Sequence, residues 1–133
     1  MAYYFTHWLD MGKRMQKAPK IFHVNWFRTN SEGEFLWPGF SENLRVLEWI
    51  LQRCSNKVGA VETAIGYVPY PADIDLTGLQ LDPGILEKLL EVRKQEWREE
   101  LKGIKGFFKQ FHKDLPKELW DEFELLQKRL KEK

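Results

Sequence analysis

The sequence lacks the features that identify secreted, membrane and nucleic-acid-binding proteins. Cys54 is its single cysteine, so no disulfide can form within the chain, which favours the cytoplasm. No apolar run approaches the roughly 18 residues of a membrane helix, and no basic start precedes an apolar core as in a signal peptide. The formal charge of +1 gives no electrostatic reason to expect a nucleic acid or an anionic membrane as partner. We therefore expect a soluble, cytoplasmic protein.

Motifs for catalysis and metal binding are also missing. No Gly-x-x-x-x-Gly-Lys-Ser/Thr sequence is present, so a phosphate-binding loop of that kind is not predicted. His7, His23 and His112 are scattered without the spacing of metal ligands, and Cys54 has no partner at the interval of a zinc site. The sequence therefore predicts neither catalytic residues nor a metal site.

Aromatic residues, by contrast, are plentiful. They make up 14% of the 133 residues and include six tryptophans, which is high for a plain helical domain. The hydrophobic fraction of 43% and the charged fraction of 31% are ordinary for a globular protein. A chain of this size is about one domain, which can bury a core.

The first part of the sequence predicts an aromatic β-hairpin that follows a helix. Apolar residues at helical spacing predict the helix over residues 3–17. Residues Ile21–Phe27 are rich in β-branched and aromatic side chains and predict a strand. Asn30–Gly33 has turn chemistry, so Glu34–Trp37 is expected to return as a short second strand.

A second helix is predicted from Ser41, with Ser41 or Gly39 as its cap. Its expected buried face consists of Leu44, Leu47, Ile50, Leu51 and Cys54. The glycines and prolines of residues 55–82 leave room only for short extended pieces.

From Asp82 to Lys133 the sequence is helical and highly charged. Asp82 followed by Pro83 is a favoured helix start. Two apolar stripes then predict two amphipathic helices that cover a core: Trp97, Leu101, Ile104, Phe108 and Phe111, and Leu119, Phe123, Leu126 and Leu130. The predicted fold is a mostly helical α+β class and a single partial domain, in which residues 1–81 hold the hairpin and residues 82–133 form a charged helical cap.

Three aromatic residues are candidates for binding a planar ligand. Phe27 and Phe35 flank the predicted turn, and Phe40 stands just before the second helix. Stacking of a base on such rings is worth roughly 1–3 kcal/mol and does not depend on which base it is. On the residues alone, the simpler interpretation is that these rings form the core of a small hairpin-plus-helix unit.

Polar groups at the start of the second helix are candidates for choosing the base. The first N–H groups of a helix have no internal partner, so the amides of residues 41–43 could donate to the O6 atom of guanine. The Asn43 side chain can donate or accept, so it could meet either O6 or the N1/N2 edge. An Asn at this position is otherwise a common local cap.

The sequence resembles GTP-dependent phosphoenolpyruvate carboxykinase over nearly its whole length. The family's runs Phe-His-Val-Asn-Trp-Phe-Arg and Phe-Leu-Trp-Pro-Gly-Phe-Gly-Glu-Asn are matched at Phe22–Arg28 and Phe35–Asn43. Further matches occur at Tyr4–Leu9 and Leu44–Trp49, and Ile-Gly-Tyr-Val-Pro is intact at Ile65–Pro69. A weaker similarity continues to the C-terminus and includes Asp114–Pro116. One departure is Ser41, where the family usually has Gly; a positive φ there would strain the backbone by about 1 kcal/mol or more.

The resemblance implies a guanine site in which aromatic rings surround the base, Trp26 backs the pocket and Asn43 reads the base edge. The implied guanine-binding residues are Trp26, Phe27, Phe35, Phe40, Ser41, Glu42 and Asn43. The segment would belong to the nucleotide-binding C-terminal lobe of a larger enzyme, as a natural short gene product or a truncated chain.

In that family, oxaloacetate and GTP give phosphoenolpyruvate, GDP and CO2, a step of gluconeogenesis that uses manganese or magnesium. The resemblance implies that the catalytic and metal-binding residues lie outside these 133 residues, so we expect the isolated chain to be inactive. Its expected partners are a guanine nucleotide, the remainder of the parent enzyme and, through exposed apolar surface, other copies of itself.

Two other functions fit the residues. One is a non-catalytic helical module whose aromatic surface docks on another protein. The other is a single-stranded RNA binder that uses the same rings, although the near-neutral charge argues against it.

Overall fold

The computed structural model describes residues 1–132 and has the predicted mostly helical α+β composition. Within this range the helices are α1 (Ala2–Arg14), α2 (Asn43–Cys54), α3 (Pro83–Leu90), α4 (Lys94–Lys109) and α5 (Lys117–Arg129), and the strands are β1 (Val61–Thr63) and β2 (Gly66–Val68). Short 3-10 turns occur at Phe40–Glu42, Pro71–Asp73 and His112–Asp114. Contacts within the chain define two compact units, residues 1–19 with 92–132 and residues 20–91. The single partial domain stays a prediction.

The first unit contains α1, α4 and α5, and it confirms both predicted apolar stripes. Leu101 of α4 and Phe123 of α5 are buried, and Leu130 is fully enclosed just beyond α5. The ring of Phe108 meets that of Trp120 edge-on, with centroids 5.5 Å apart. On α1, Ala2 is buried and the half-buried Phe5 contacts Phe111 edge-on at 5.7 Å.

The second unit is built around Trp49 of α2. This side chain is 4% exposed and packs with Ile74 and with Leu86 of α3. Phe22 meets the indole edge-on, with ring centroids 6.1 Å apart. The start of α3 is as predicted, because the Asp82 carboxylate accepts a hydrogen bond from the Gly84 N–H at 2.8 Å.

The predicted aromatic β-hairpin is wrong in its strands and right in its turn. Ile21–Phe27 is not a strand, and near the turn only the isolated bridge Thr29↔Phe35 forms. The regular sheet lies instead at β1 and β2, which pair antiparallel from Val61↔Val68 to Thr63↔Gly66. The pairing of residues 29 and 35 cannot extend further along the aromatic segment (residues 21–40). Pro38 lacks an N–H, and Gly39 adopts a φ of 115°, which leads the chain into the Phe40–Glu42 turn.

The predicted buried face of α2 is also wrong, except for Ile50, which packs against the core around Trp49. Leu44, Leu47 and Leu51, like Cys54, are exposed. The buried side is nearly opposite on the helix and is centred on Trp49, because the larger aromatic side chain has more apolar surface to remove from water. A stripe of leucines is therefore left without a partner among the described residues.

No helix within residues 1–132 is long and apolar enough to cross a membrane.

Candidate functional site

The turn at Asn30–Gly33 brings two of the three candidate stacking rings together. The rings of Phe27 and Phe35 lie with their centroids 6.1 Å apart and their planes at 62°, and the side chains are 73% and 64% exposed. Asn30 shapes the turn, because its Oδ1 accepts hydrogen bonds from the N–H groups of Glu32 and Glu34, each at 2.9 Å. Two large rings are thus held side by side at the surface.

The third ring, that of Phe40, stands at the start of the 3-10 turn and is 92% exposed. In the part of the chain that the structure describes, it makes no ring contact with Phe27 or Phe35. The three rings are therefore all open to solvent and are not packed into a core.

Two tryptophans near these rings in sequence are less exposed. Trp37 is only 5% exposed, and its ring lies 6.3 Å from that of the half-buried Trp26 at an angle of 42°. The Trp37 Nε1–H donates a hydrogen bond of 2.9 Å to Oδ1 of Asn43, the first residue of α2. This bond ties the second half of the aromatic segment to the predicted base-reading residue.

The backbone amides at the start of α2 are not available in the predicted way. The Glu42 N–H donates to the Gly39 carbonyl at 3.1 Å, and the Asn43 N–H donates to the Phe40 carbonyl. The 3-10 turn thus uses two of the three amides that were expected to meet the base, because its i to i+3 bonds satisfy the N–H groups that a helix start leaves open.

Ser41 is tolerated in place of the family's glycine. The described non-glycine residues with positive φ are Asn56 and His112, so Ser41 has an ordinary backbone conformation. Its hydroxyl donates to Glu42 Oε1 at 3.3 Å and does not cap α2. The glycine of this segment that does need its freedom is Gly39, at a φ of 115°.

Glu42 is engaged by Arg45, which clamps this turn to a neighbouring loop. Arg45 Nε donates to Glu42 Oε2 at 2.6 Å, while its Nη atoms donate to the carbonyls of Asp75 at 2.6 Å and Thr77 at 3.0 Å. The hydrogen bond from Arg45 lowers the pKa of the Glu42 carboxyl, so that the charged form is favoured. Glu42 therefore acts as part of a structural clamp beside the candidate site.

Sequence reasoning missed Arg45 and Trp37. The spacing of Glu42 and Arg45 by three positions on a helix start is a signal that could have pointed to their ion pair. No local pattern pointed to the bond between Trp37 and Asn43, since it joins two residues whose side chains meet only after the chain turns at Gly39.

Comparison with known proteins identifies the family. Residues 1–129 match the family model described as the phosphoenolpyruvate carboxykinase C-terminal P-loop domain. The chain is 46% identical over 127 residues to the phosphoenolpyruvate carboxykinase [GTP] of Thermoplasma volcanium, covering 96% of this chain and 21% of that protein. For the Chlamydia pneumoniae protein of the same name, the identity is 49% over 135 residues, covering 100% of this chain and 22% of that protein.

The match thus covers nearly all of this chain and only part of each relative. A third relative, the phosphoenolpyruvate carboxykinase [GTP] of Corynebacterium kroppenstedtii, is 44% identical over 129 residues and shows the same coverage, 96% of this chain and 21% of that protein. The chain therefore spans about a fifth of the length of the curated relatives it matches. With a family model that covers nearly all of its residues and relatives at this identity, the chain belongs to the family of GTP-dependent phosphoenolpyruvate carboxykinases.

Proposed function

We propose that this chain provides the guanine-binding segment in the nucleotide-binding C-terminal lobe of a phosphoenolpyruvate carboxykinase. The observation that carries the proposal is the exposure of Phe27, Phe35 and Phe40 in a segment whose Trp37 holds the Asn43 side chain in one orientation. Large apolar rings that cluster at a surface mark binding sites, because each exposed ring costs free energy in water. The remaining residues of the proposed site are Trp26 behind the rings and Ser41 and Glu42 in the 3-10 turn.

The site would recognise the base and would not grip the phosphates. One stacked base with two or three hydrogen bonds at its edge, reduced by the entropy cost of association, gives a Kd no better than roughly millimolar. GMP, GDP and GTP should therefore bind alike to the isolated chain, and ATP should bind more weakly.

The whole enzyme to which such a segment belongs would convert oxaloacetate and GTP to phosphoenolpyruvate, GDP and CO2. Phosphoryl transfer depends on positioning and on neutralisation of charge, which require phosphate-binding groups and divalent metal ions such as manganese or magnesium. Residues 1–132 contain no group of three or more His, Cys, Asp or Glu side chains that could hold a metal ion. That the isolated chain forms no phosphoenolpyruvate stays a prediction from the sequence. The cytoplasmic location stays a prediction.

Nucleotide titration of the isotopically labelled chain tests the proposal. GMP, GDP, GTP and ATP are added in turn while the backbone amide signals of residues 40–44 are followed by NMR. We expect the three guanine nucleotides to shift these signals with similar affinity. Phe40→Ala should weaken guanine and adenine nucleotides together, because stacking does not distinguish the bases. Phe107→Ala, which removes an exposed ring from α4, is the matched control and should leave the affinity for every nucleotide unchanged.

Two results of the titration would contradict the proposal. If GTP bound far more tightly than GMP, a phosphate site would have to exist in this chain. If no guanine nucleotide shifted the signals of residues 40–44 even at nucleotide concentrations well above the expected Kd, base binding by this chain would be refuted.

We also propose that the leucine face of α2 packs against the remainder of a carboxykinase chain. Leu44, Leu47 and Leu51 lie on one side of α2 and are exposed, which leaves an apolar stripe of the kind that marks an interface. The curated relatives are about five times as long as this chain, so the remainder of such a protein is the natural occupant. Self-association of the isolated chain would be a consequence of leaving this stripe uncovered. The family match does not favour the alternative of a non-catalytic interaction module.

A chimera tests the leucine face. In the Chlamydia pneumoniae enzyme, the segment that matches this chain is replaced by residues 1–133, and thermal unfolding of the chimera is compared with that of variants. Leu47→Glu with Leu51→Glu should lower the melting temperature or abolish folding, because two charges would be buried without partners. Glu48→Gln on the same helix is the control and should have little effect. Equal melting temperatures for the charged and control variants would show that this face stays in water.

A further inference from the structure

The orientation of the Asn43 amide is determined by Trp37. An indole N–H is a donor only, whereas an amide has an oxygen acceptor at one end and an NH2 donor at the other. The atom that lies 2.9 Å from Trp37 Nε1 must therefore be the oxygen, since the reverse orientation would place two donors against each other. Because Trp37 is buried, a flipped Asn43 amide would also leave the indole N–H of Trp37 without an acceptor.

The other end of the amide is left for a ligand. Within residues 1–132, Asn43 Nδ2 makes no hydrogen bond, while Oδ1 is occupied by Trp37. The backbone N–H groups of Glu42 and Asn43 are used in the 3-10 turn and cannot take over the role. The side-chain NH2 is thus a donor at the start of α2 that no described residue occupies.

We propose that Trp37 is a positioning residue that sets the polarity of the Asn43 amide and thereby selects a base with an acceptor at position 6. The inference rests on the proposed guanine-binding function. A fixed NH2 donor is complementary to the O6 atom of guanine or hypoxanthine and faces the N6 amine of adenine donor to donor. It is equally mismatched to the N1–H and N2–H2 groups of guanine, so the structure assigns Asn43 to O6 and not to the N1/N2 edge.

The proposal makes the indole nitrogen of Trp37, and not its bulk, the source of selectivity. Trp37→Phe keeps an aromatic ring against Trp26 and removes the N–H, which frees the Asn43 amide to present either end to the base. Trp120→Phe makes the same chemical change on α5, outside the proposed site, and no bond from Trp120 to Asn43 exists in the described residues. The pair is therefore a matched test.

The experiment measures binding of GMP, IMP and AMP to the full chain and its variants by NMR titration of residues 40–44. In the wild type, GMP and IMP should bind alike, because IMP keeps O6 and lacks only the N2 amine, while AMP should bind more weakly. Trp37→Phe should reduce the ratio of AMP to GMP dissociation constants by about tenfold, the equivalent of one hydrogen bond. Trp120→Phe should leave that ratio unchanged.

A second variant keeps the proposal testable if Trp37→Phe disturbs folding. Asn43→Asp preserves the acceptor for Trp37 but replaces the NH2 donor by a second oxygen, so AMP should now be preferred to GMP. The indole N–H signal of Trp37 should remain shifted in Asn43→Asp and move towards that of a free indole in Asn43→Leu, which reports the hydrogen bond without any ligand.

The outcomes separate the inference from the function on which it rests. If wild-type chain binds GMP but Trp37→Phe keeps the full preference for GMP over AMP, the positioning role is refuted while guanine binding stands. Tighter GMP binding by Asn43→Asp would show that Asn43 reads the N1/N2 edge. If none of the nucleotides binds the wild type, both the inference and the proposed function fail.

Discussion

Replacement of Trp49 tests how α2, which carries Asn43, is anchored. The side chain is 4% exposed among Ile74, Leu86 and Phe22, so Trp49→Ala removes a large aromatic group from a closed core. Such truncations cost about 3–5 kcal/mol. Because a domain of this kind is stable by about 5–15 kcal/mol, Trp49→Ala should remove a large part of the free energy of unfolding.

The same residue offers a sharper comparison, because its indole N–H is buried with no hydrogen-bond partner among the described residues. Trp49→Phe loses burial equivalent to one or two methylene groups, about 1–2 kcal/mol. It also removes an unsatisfied donor, whose burial costs about 1–3 kcal/mol. Because the two effects nearly cancel, the free energy of unfolding of Trp49→Phe should lie within about 1 kcal/mol of that of the wild type.

Urea unfolding followed by far-ultraviolet circular dichroism measures both variants on the same scale. We expect a large decrease in the free energy of unfolding for Trp49→Ala and a small one for Trp49→Phe. If Trp49→Phe were as destabilising as Trp49→Ala, the indole N–H would have to make a bond that holds the core together, and the packing argument would be refuted.

Two further predictions concern the start of α2. Gly39→Ala should destabilise the chain by about 1–2 kcal/mol because of the φ of 115° at this position, whereas Gly12→Ala within α1 should stabilise it by about 0.5–1 kcal/mol; urea unfolding of both variants checks the signs. The hydrogen bond from Arg45 lowers the pKa of the Glu42 carboxyl. The stability that this bond contributes is therefore complete above the ordinary carboxyl pKa and is lost as the pH falls through the lowered pKa. Glu42→Gln should therefore flatten the acid limb of a plot of unfolding midpoint against pH, and Glu48→Gln should not; identical acid limbs for the wild type and Glu42→Gln would contradict the clamp.

The features that the sequence determined by itself are those that depend on near neighbours. Asp82 and Pro83 predict the start of α3 because a cap needs only the next two residues. The stripes that contain Leu101 and Phe123 predict α4 and α5 because helical periodicity is a property of the chain itself. Asn30 predicts its turn for the same reason, and with it the closeness of Phe27 and Phe35.

Family membership was likewise readable from the sequence, since runs such as Phe35–Asn43 are specific without any coordinates. The same runs indicated which residues to examine as a guanine site. They did not indicate what each side chain contacts, because a motif records residue types and not their hydrogen bonds.

Tertiary structure decided where the strands pair and which side of α2 is buried. A strand needs a partner from elsewhere in the chain, so Ile21–Phe27 stayed unpaired despite its composition, while β1 and β2 found each other across a tight turn. Both sides of α2 carry apolar residues, and local pattern cannot choose between Trp49 and the leucines. The polarity of Asn43 was decided in the same way, because only the folded chain brings the donor-only indole of Trp37 to the amide oxygen and leaves the Asn43 NH2 group without a described partner.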